Sequence, residues 1–266
     1  MRFHLFKKVE KTVTAAAVTD CGKVRNVNQD TIYFAQDILK KDEKGFSGVK
    51  DQKISVKKPI FFGVFDGMGG LSDGEKASQL AAEEVKKIIK DCQNDSVPVI
   101  FEKICTSTNQ IICSEMEKSR TKMGTTLSML CFEENKVTIC NVGDSPIFRY
   151  RNGELEKIYE EHTDRKIKIQ LLGEEKLKGK SFSLTQYIGI SEEEMQISPY
   201  LKEQETKTDD IYIICSDGLT DMLSEEEIIE ILERKVSLYD RIVILKERAN
   251  ANGGKDNISI VGVATI

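Results

Sequence analysis

The sequence predicts an α+β fold with an antiparallel β core and helices packed outside it. Two observations carry this. Strand-like and helix-like stretches come in blocks, in the order strands, two helices, strands, a polar stretch, a strand, two helices and a last strand. Such blocks favour an antiparallel core over a doubly wound parallel sheet, which needs strict alternation. The strand candidates are also short, β-rich and separated by turn residues such as Glu134-Asn135, Gly143-Asp144 and Asn152-Gly153. No internal repeat of fixed period is visible.

Taken in order, Val13–Val18 and Thr31–Ala35 read as strands around a polar turn. Residues Gln36–Lys58 are rich in Lys, Asp and Gly and poor in apolar side chains, so they read as a solvated hairpin or loop insertion. Its lysines are expected to form a solvated face rather than to meet an anionic partner. The run Pro59–Phe65 is a buried strand that stops at Asp66-Gly67, with Met68, Gly69 and Gly70 behind it. Helical spacing of Ala77, Leu80, Ala81, Val85, Ile88 and Ile89 predicts a helix over Asp73–Asp91, and Ile100, Ile104, Ile111 and Ile112 predict a second over Val99–Met116. Two amphipathic helices in succession imply an antiparallel pair lying on a sheet.

Strands return at Thr125–Glu133, Lys136–Val142 and Pro146–Arg151, read as an antiparallel meander. Glu160–Gln204 is polar, with a short helix at Lys166–Leu172. Ile211–Cys215 is a buried strand ending in Ser216-Asp217-Gly218. Ser224 followed by three glutamates starts a helix, because acids in the first turn complement the helix dipole. A further helix is expected over Tyr239–Ala249 and a last strand over Asn257–Ile266.

Composition bounds the function. At 266 residues and 39% apolar content the chain can build a substantial core, and a net charge of −5 argues against a nucleic-acid binder. No run of apolar residues is long enough to cross a membrane, and Met1–Glu10 lacks the apolar segment of a secretory signal. The seven cysteines have irregular spacing and no CxxC pair, as expected of reduced, buried cysteines in a cytoplasmic protein. With only His4 and His162 to add imidazole, a structural zinc site is not expected.

Four acids share one kind of position. Asp66, Asp144 and Asp217 follow core strands and Asp256 precedes one. In an antiparallel sheet the end of one strand lies beside the start of its neighbour, so all four can occupy one rim. Carboxylates crowded there would repel unless a cation held them. Oxygen ligands without His or Cys point to Mg2+ or Mn2+, and one carboxylate bridging two ions about 3.5–4 Å apart is the arrangement of phosphate chemistry. Asp66-Gly67 by itself is read equally well as a hairpin turn. Arg25 and Asp30, five residues apart beside a strand, add a bidentate phosphate donor and a further acid, although Arg25 alone reads as a surface salt bridge.

The blocks TDCGKVRNVNQD, FGVFDGMGG, GTTLSMLCF with ICNVGDSPIFRY, ICSDGLTDMLS and GGKDNISIV, spread from residue 18 to the C-terminus, resemble the metal-dependent serine/threonine protein phosphatases of type 2C in their compact bacterial form. The resemblance implies a four-layer α-β-β-α sandwich, two antiparallel sheets flanked by helix pairs, formed by residues 1–266 as a single catalytic domain with a variable flap at about 164–204. It implies that Asp66 bridges two metal ions and that the Gly67 carbonyl ligates one of them. Asp217 and Asp256 would complete the shell of the other, Asp30 would bind metal or metal-bound water, and Asp144 would serve a third, weaker site with Asp217. Arg25 would hold the substrate phosphate. Two positions depart: Gln29 stands where many members carry Glu, and Met68 where animal members have His, so the general acid is unassigned. His162 reads as structural.

The implied activity is hydrolysis of phosphoserine and phosphothreonine in proteins, opposing serine/threonine kinases, with Mn2+ or Mg2+ as cofactor, by a cytoplasmic monomer that binds neither nucleic acid nor membrane. A small-molecule phosphomonoesterase and a phosphoprotein-binding module with weak activity are the competing readings.

Overall fold

The computed structural model describes residues 11–69, 73–177 and 182–266. Met1–Glu10, Gly70 of the glycine run and part of the flap lie outside the described residues. The strands are β1 (Thr12–Asp20), β2 (Thr31–Ala35), β3 (Asp37–Ile38), β4 (Ser47–Ser55), β5 (Ile60–Phe65), β6 (Gly67–Gly69), β7 (Met123–Thr125), β8 (Leu127–Glu133), β9 (Lys136–Val142), β10 (Ile147–Arg151), β11 (Glu154–Lys157), β12 (Tyr200–Glu205), β13 (Ile211–Cys215) and β14 (Ile258–Thr265). The helices are α1 (Asp73–Asp91), α2 (Val97–Ser119), α3 (Arg165–Leu172), α4 (Asp217–Thr220), α5 (Glu225–Leu232) and α6 (Leu238–Ala251).

Two six-stranded antiparallel sheets stack face to face, one in the order β11-β10-β13-β14-β1-β4 and the other β12-β9-β8-β5-β2-β3. The period-2 alternation of strands explains why the central ones are apolar throughout. In β5, Phe62 and Val64 point between the sheets, toward Ile139, Tyr212 and Val261. Phe61 and Phe65 point the other way, onto Ala77, Ala81, Phe101 and Ile104 of α1 and α2. In β13, Tyr212 and Ile214 face the inter-sheet core, while Ile211, Ile213 and Cys215 meet Ile228, Ile242 and Leu245 of α5 and α6. The result is the expected α-β-β-α sandwich. At the head of α5, the helix start that Ser224 and the glutamates predict, Ser224 and Glu227 form a reciprocal capping box.

Three features differ from expectation. Residues 36–58 are more than a solvated loop: β4 is the edge strand of the first sheet, paired with β1 from Thr12↔Ser55 to Thr19↔Ser47. Its side chains are mostly exposed, so it carries no hydrophobic alternation. The expected meander is divided, because β8 and β9 pair in the second sheet while β10 pairs with β13 in the first. The chain changes sheets at Gly143, whose φ of +109° and contact with the Thr126 side chain leave no room for a Cβ. Finally, β12 emerges from the polar segment to pair with β9 as the other sheet's edge.

Candidate active site

The strand ends decide where the acids meet. Asp66 directly follows β5, and the register Thr31↔Phe65 sets Asp30, just before β2, beside it. On the facing sheet Cys215↔Ile260 places the end of β13 next to the start of β14, bringing Asp217 toward Asp256. Asp144 sits in the crossover from β9 to β10. The rim expected within one sheet is therefore shared by two, and the acids line its seam. Ser216 crosses the seam directly, its Oγ donating to Asp30 Oδ2 at 2.8 Å.

The acids feel one another. Burial first, then the charges of Asp30, Asp217, Asp144 and Asp256, push the Asp66 carboxyl well above the usual carboxylate range. Asp217 is pushed well above it too, by burial and then by Asp144, Asp221, Asp256 and Asp30. Burial raises Asp30 to about 6 against the opposing hydroxyls of Ser259 and Ser216, and raises Asp144 to about 6, with Glu161 and Asp221 adding to it. Asp30 Oδ1 is buried with no hydrogen-bond partner among the described residues. An orphaned oxygen amid mutually repelling carboxylates fits the role of a cation ligand.

The backbone at Asp66 is held tightly. Its N–H donates to Thr126 Oγ1 at 3.0 Å, and its carbonyl accepts from Thr126 N–H and Thr125 Oγ1, both at 2.9 Å. At Gly67 a Cβ would lie 2.0 Å from the Gly74 carbonyl oxygen and 2.6 Å from that of Gln29, so no side chain fits. The Gly67 carbonyl is thus carried by a cradle of backbone. The donor set, carboxylates plus a carbonyl, suits Mg2+ or Mn2+. Among the described residues no three acidic, His or Cys side chains form a complete metal cage, so an ion here would also use the carbonyl and water, as small hard cations do.

Arg25 reaches the same rim from the loop after β1, its Nη2 donating to Asp256 Oδ2 at 2.7 Å. That loop is fixed by Asn257, whose Nδ2 donates to the Cys21 and Val27 carbonyls and whose Oδ1 accepts from Gln29 N–H. Asn257, Thr126 and Ser216 lie within the motifs, but their partners are distant in sequence, so no local pattern marks their roles. His162 is buried, and its Nδ1 accepts from Gly143 N–H at 3.1 Å, which ties the crossover bearing Asp144 to the start of the flap. Burial holds its pKa below the ordinary value. Each sequence-predicted site residue lies at this seam.

From Asp144 and Asp217 a groove of about 730 Å³ runs outward past Phe148, Tyr159, Leu177 and Phe182 between α5 and the flap. Phe182 lies under Arg165, whose Cζ is 5.3 Å from the ring centroid.

A sequence profile described as protein phosphatase 2C matches residues 46–247. Asp66, Gly67, Asp144 and Asp217 fall inside that span; Arg25, Asp30 and Asp256 are joined to them by the fold. The chain is 28% identical over 253 residues to the serine/threonine phosphatase stp of Listeria monocytogenes serotype 4b, covering 91% of this chain and 92% of that one. It is 30% identical over 207 residues to protein phosphatase PhpP of Streptococcus pneumoniae serotype 2, covering 75% and 83%. Its fold superposes with a TM-score of 0.77 and 25% identity on the catalytic domain of the serine/threonine protein phosphatase PstP in complex with two manganese ions, covering 96% and 99%. With the seam of carboxylates, the sandwich and the matched profile in agreement, the chain belongs to the protein phosphatase 2C family and is a serine/threonine protein phosphatase.

Proposed function

We propose that the seam between the two sheets is where this chain hydrolyses phosphoserine and phosphothreonine in proteins with the help of divalent metal ions. The observation that carries the reading is the convergence of Asp30, Asp66, Asp144, Asp217 and Asp256, whose burial and mutual repulsion a bound cation would offset. Asp66 would serve both of two such ions, the Gly67 carbonyl one of them, and Asp217 and Asp256 the other. Asp30 would hold metal or its water through the orphaned Oδ1, and Asp144 would serve a weaker third site with Asp217. When bound, such ions would lower the pKa of water and neutralise phosphoryl charge.

The protein's own part is positional. Thr125 and Thr126 fix the Asp66 backbone, Ser216 orients Asp30, and Asn257 fixes the loop that presents Arg25. Arg25 exchanges Asp256 for the substrate phosphate, where its planar fork matches two phosphoryl oxygens. A phosphorylated segment seated there would run along the groove beside the flap, about 164–204, within a single catalytic domain. Among the described residues no helix is long and apolar enough to cross a membrane. We place the enzyme in the cytoplasm, opposing serine/threonine kinases.

The test is turnover of a phosphothreonine peptide with Mn2+. Activity should vanish with EDTA and fall by roughly three orders of magnitude or more in Asp217→Asn, as when a key catalytic group is lost. Protein that binds Mn2+ yet turns over no phosphomonoester would overturn the reading.

A further inference from the structure

Lys41 sits in the stretch expected to be a solvated charged face, yet its side chain is only 15% exposed. Its ammonium lies beneath the segment leading into β2. Nζ donates to the carbonyls of Asn28, at 2.5 Å, and Asp30, at 2.9 Å, and it faces Glu75 Oε1 at 3.3 Å. An ammonium has three donors and no acceptor, and two carbonyls with one carboxylate match that complement. The partners belong to two different parts of the site. Asn28–Asp30 delivers Asp30, and Glu75 is in the first turn of α1, the helix that follows Asp66-Gly67.

The loop that presents Lys41 is itself built against the site. Asp42 Oδ1 accepts from Lys44 N–H and Phe46 N–H, both at 2.9 Å, closing a tight turn. Asn28 Nδ2 donates to the Gly45 carbonyl at 2.7 Å. Gly45 has φ +76°, and a Cβ there would lie 2.7 Å from the Asn28 Cβ, so loop and segment are in direct contact. Asn28 also donates to Thr19 Oγ1, and its Oδ1 accepts from Asp30 N–H. The insertion therefore buttresses the residues around Asp30.

We propose that Lys41 is a positioning residue of the phosphatase centre, holding the carbonyls on either side of Gln29 against α1 and so setting where Asp30 stands relative to Asp66. The inference rests on the reading of Asp30 as a ligand of the metal or its water. Lys41 touches neither substrate nor ion. Its contribution is to keep two chain segments in one register, and charge-assisted hydrogen bonds are about twice as strong as neutral ones.

The experiment uses the full chain with Lys41→Met, the conservative Lys41→Arg, and Lys44→Met as a control on an exposed lysine of the same loop. Two readouts are taken: the Mn2+ dissociation constant by titration calorimetry on metal-free protein, and kcat and KM on a phosphothreonine peptide at saturating Mn2+. Lys41→Met is expected to weaken Mn2+ binding and lower kcat by about tenfold each, the scale of one lost charge-assisted hydrogen bond, with KM little changed. Lys41→Arg should restore part of both, and Lys44→Met should match the parent. A merely architectural role would lower the melting temperature and leave Mn2+ affinity and kcat of the folded protein alone. Should Lys41→Met fail to fold, Glu75→Gln, which removes only the α1 anchor, is expected to weaken Mn2+ binding about threefold. Folded Lys41→Met, or Glu75→Gln in its place, with both constants at parent values overturns the proposal. Failure of the phosphatase reading is distinct, since the parent itself would then lack turnover.

Discussion

Arg25 and Asp256 meet across the mouth of the site, Nη2 to Oδ2 at 2.7 Å, although 231 residues separate them in the chain. Half of the Arg25 side chain is open to solvent. So exposed a pair contributes little to stability, which leaves the guanidinium free to serve a ligand. Arg25→Ala should therefore melt within about 0.5 kcal/mol of the parent while kcat/KM on a phosphopeptide falls by about 10- to 150-fold, the equivalent of a charge-assisted contact of about 1.5–3 kcal/mol. Steady-state kinetics beside thermal melts separate the two effects. Unchanged kinetics would remove Arg25 from phosphate binding.

Gly67 is expected to be intolerant for a reason of space. The methyl of Gly67→Ala would meet two backbone oxygens, those of Gly74 and Gln29, and neither can rotate away. The chain must shift, at a cost of about 1–3 kcal/mol as in other overpacked sites. On the proposed reading that shift displaces the carbonyl that would ligate the metal, so activity should fall by about a hundredfold or more, since about 1 Å of misplacement has that effect. Melting temperature and activity measured on the same preparation check both halves.

Asp144 gives the site a pH signature in metal-free protein. Its folded pKa of about 6 lies above the ordinary value near 4, because burial penalises the charge. A raised carboxylate pKa means that the folded state binds the extra proton. The associated stability is present below pH 4 and is lost as pH rises through 6. Asp144→Asn removes this loss, so the metal-free variant should melt higher than the parent at pH 7. The difference should shrink as pH falls from about 6 to about 4. A melting series with and without Mn2+ tests it, and bound metal should narrow or reverse the gap at pH 7.

Much of the architecture was readable because it rests on short-range patterns. Thr31–Ala35, Lys136–Val142, Ile211–Cys215 and the helix Asp73–Asp91 have the bounds that β-rich runs, turn residues and helical spacing predict. The edge strands were not readable. Ser47–Ser55 and Tyr200–Glu205 each pair on one side only and bury little, so backbone hydrogen bonding holds them without a hydrophobic pattern to announce it. The exchange of sheets after β9 was hidden for a related reason, since two strands in a meander and two strands on facing sheets present the same local sequence.

The sequence by itself determined that acids stand at the ends of buried strands, with glycine where backbone must be approached, since each is a matter of neighbours along the chain. Tertiary structure decided that the acids face one another across a seam rather than along a single rim. It also decided that Arg25 rests on Asp256, that Ser216 reaches Asp30, and that Lys41 turns inward beneath Asn28–Asp30. The physical reason is range. Alternation and turn chemistry act over a few residues, whereas the stacking of two sheets and the hydrogen bonds across it join groups as far apart as Asp30 and Ser216, 186 residues along the chain.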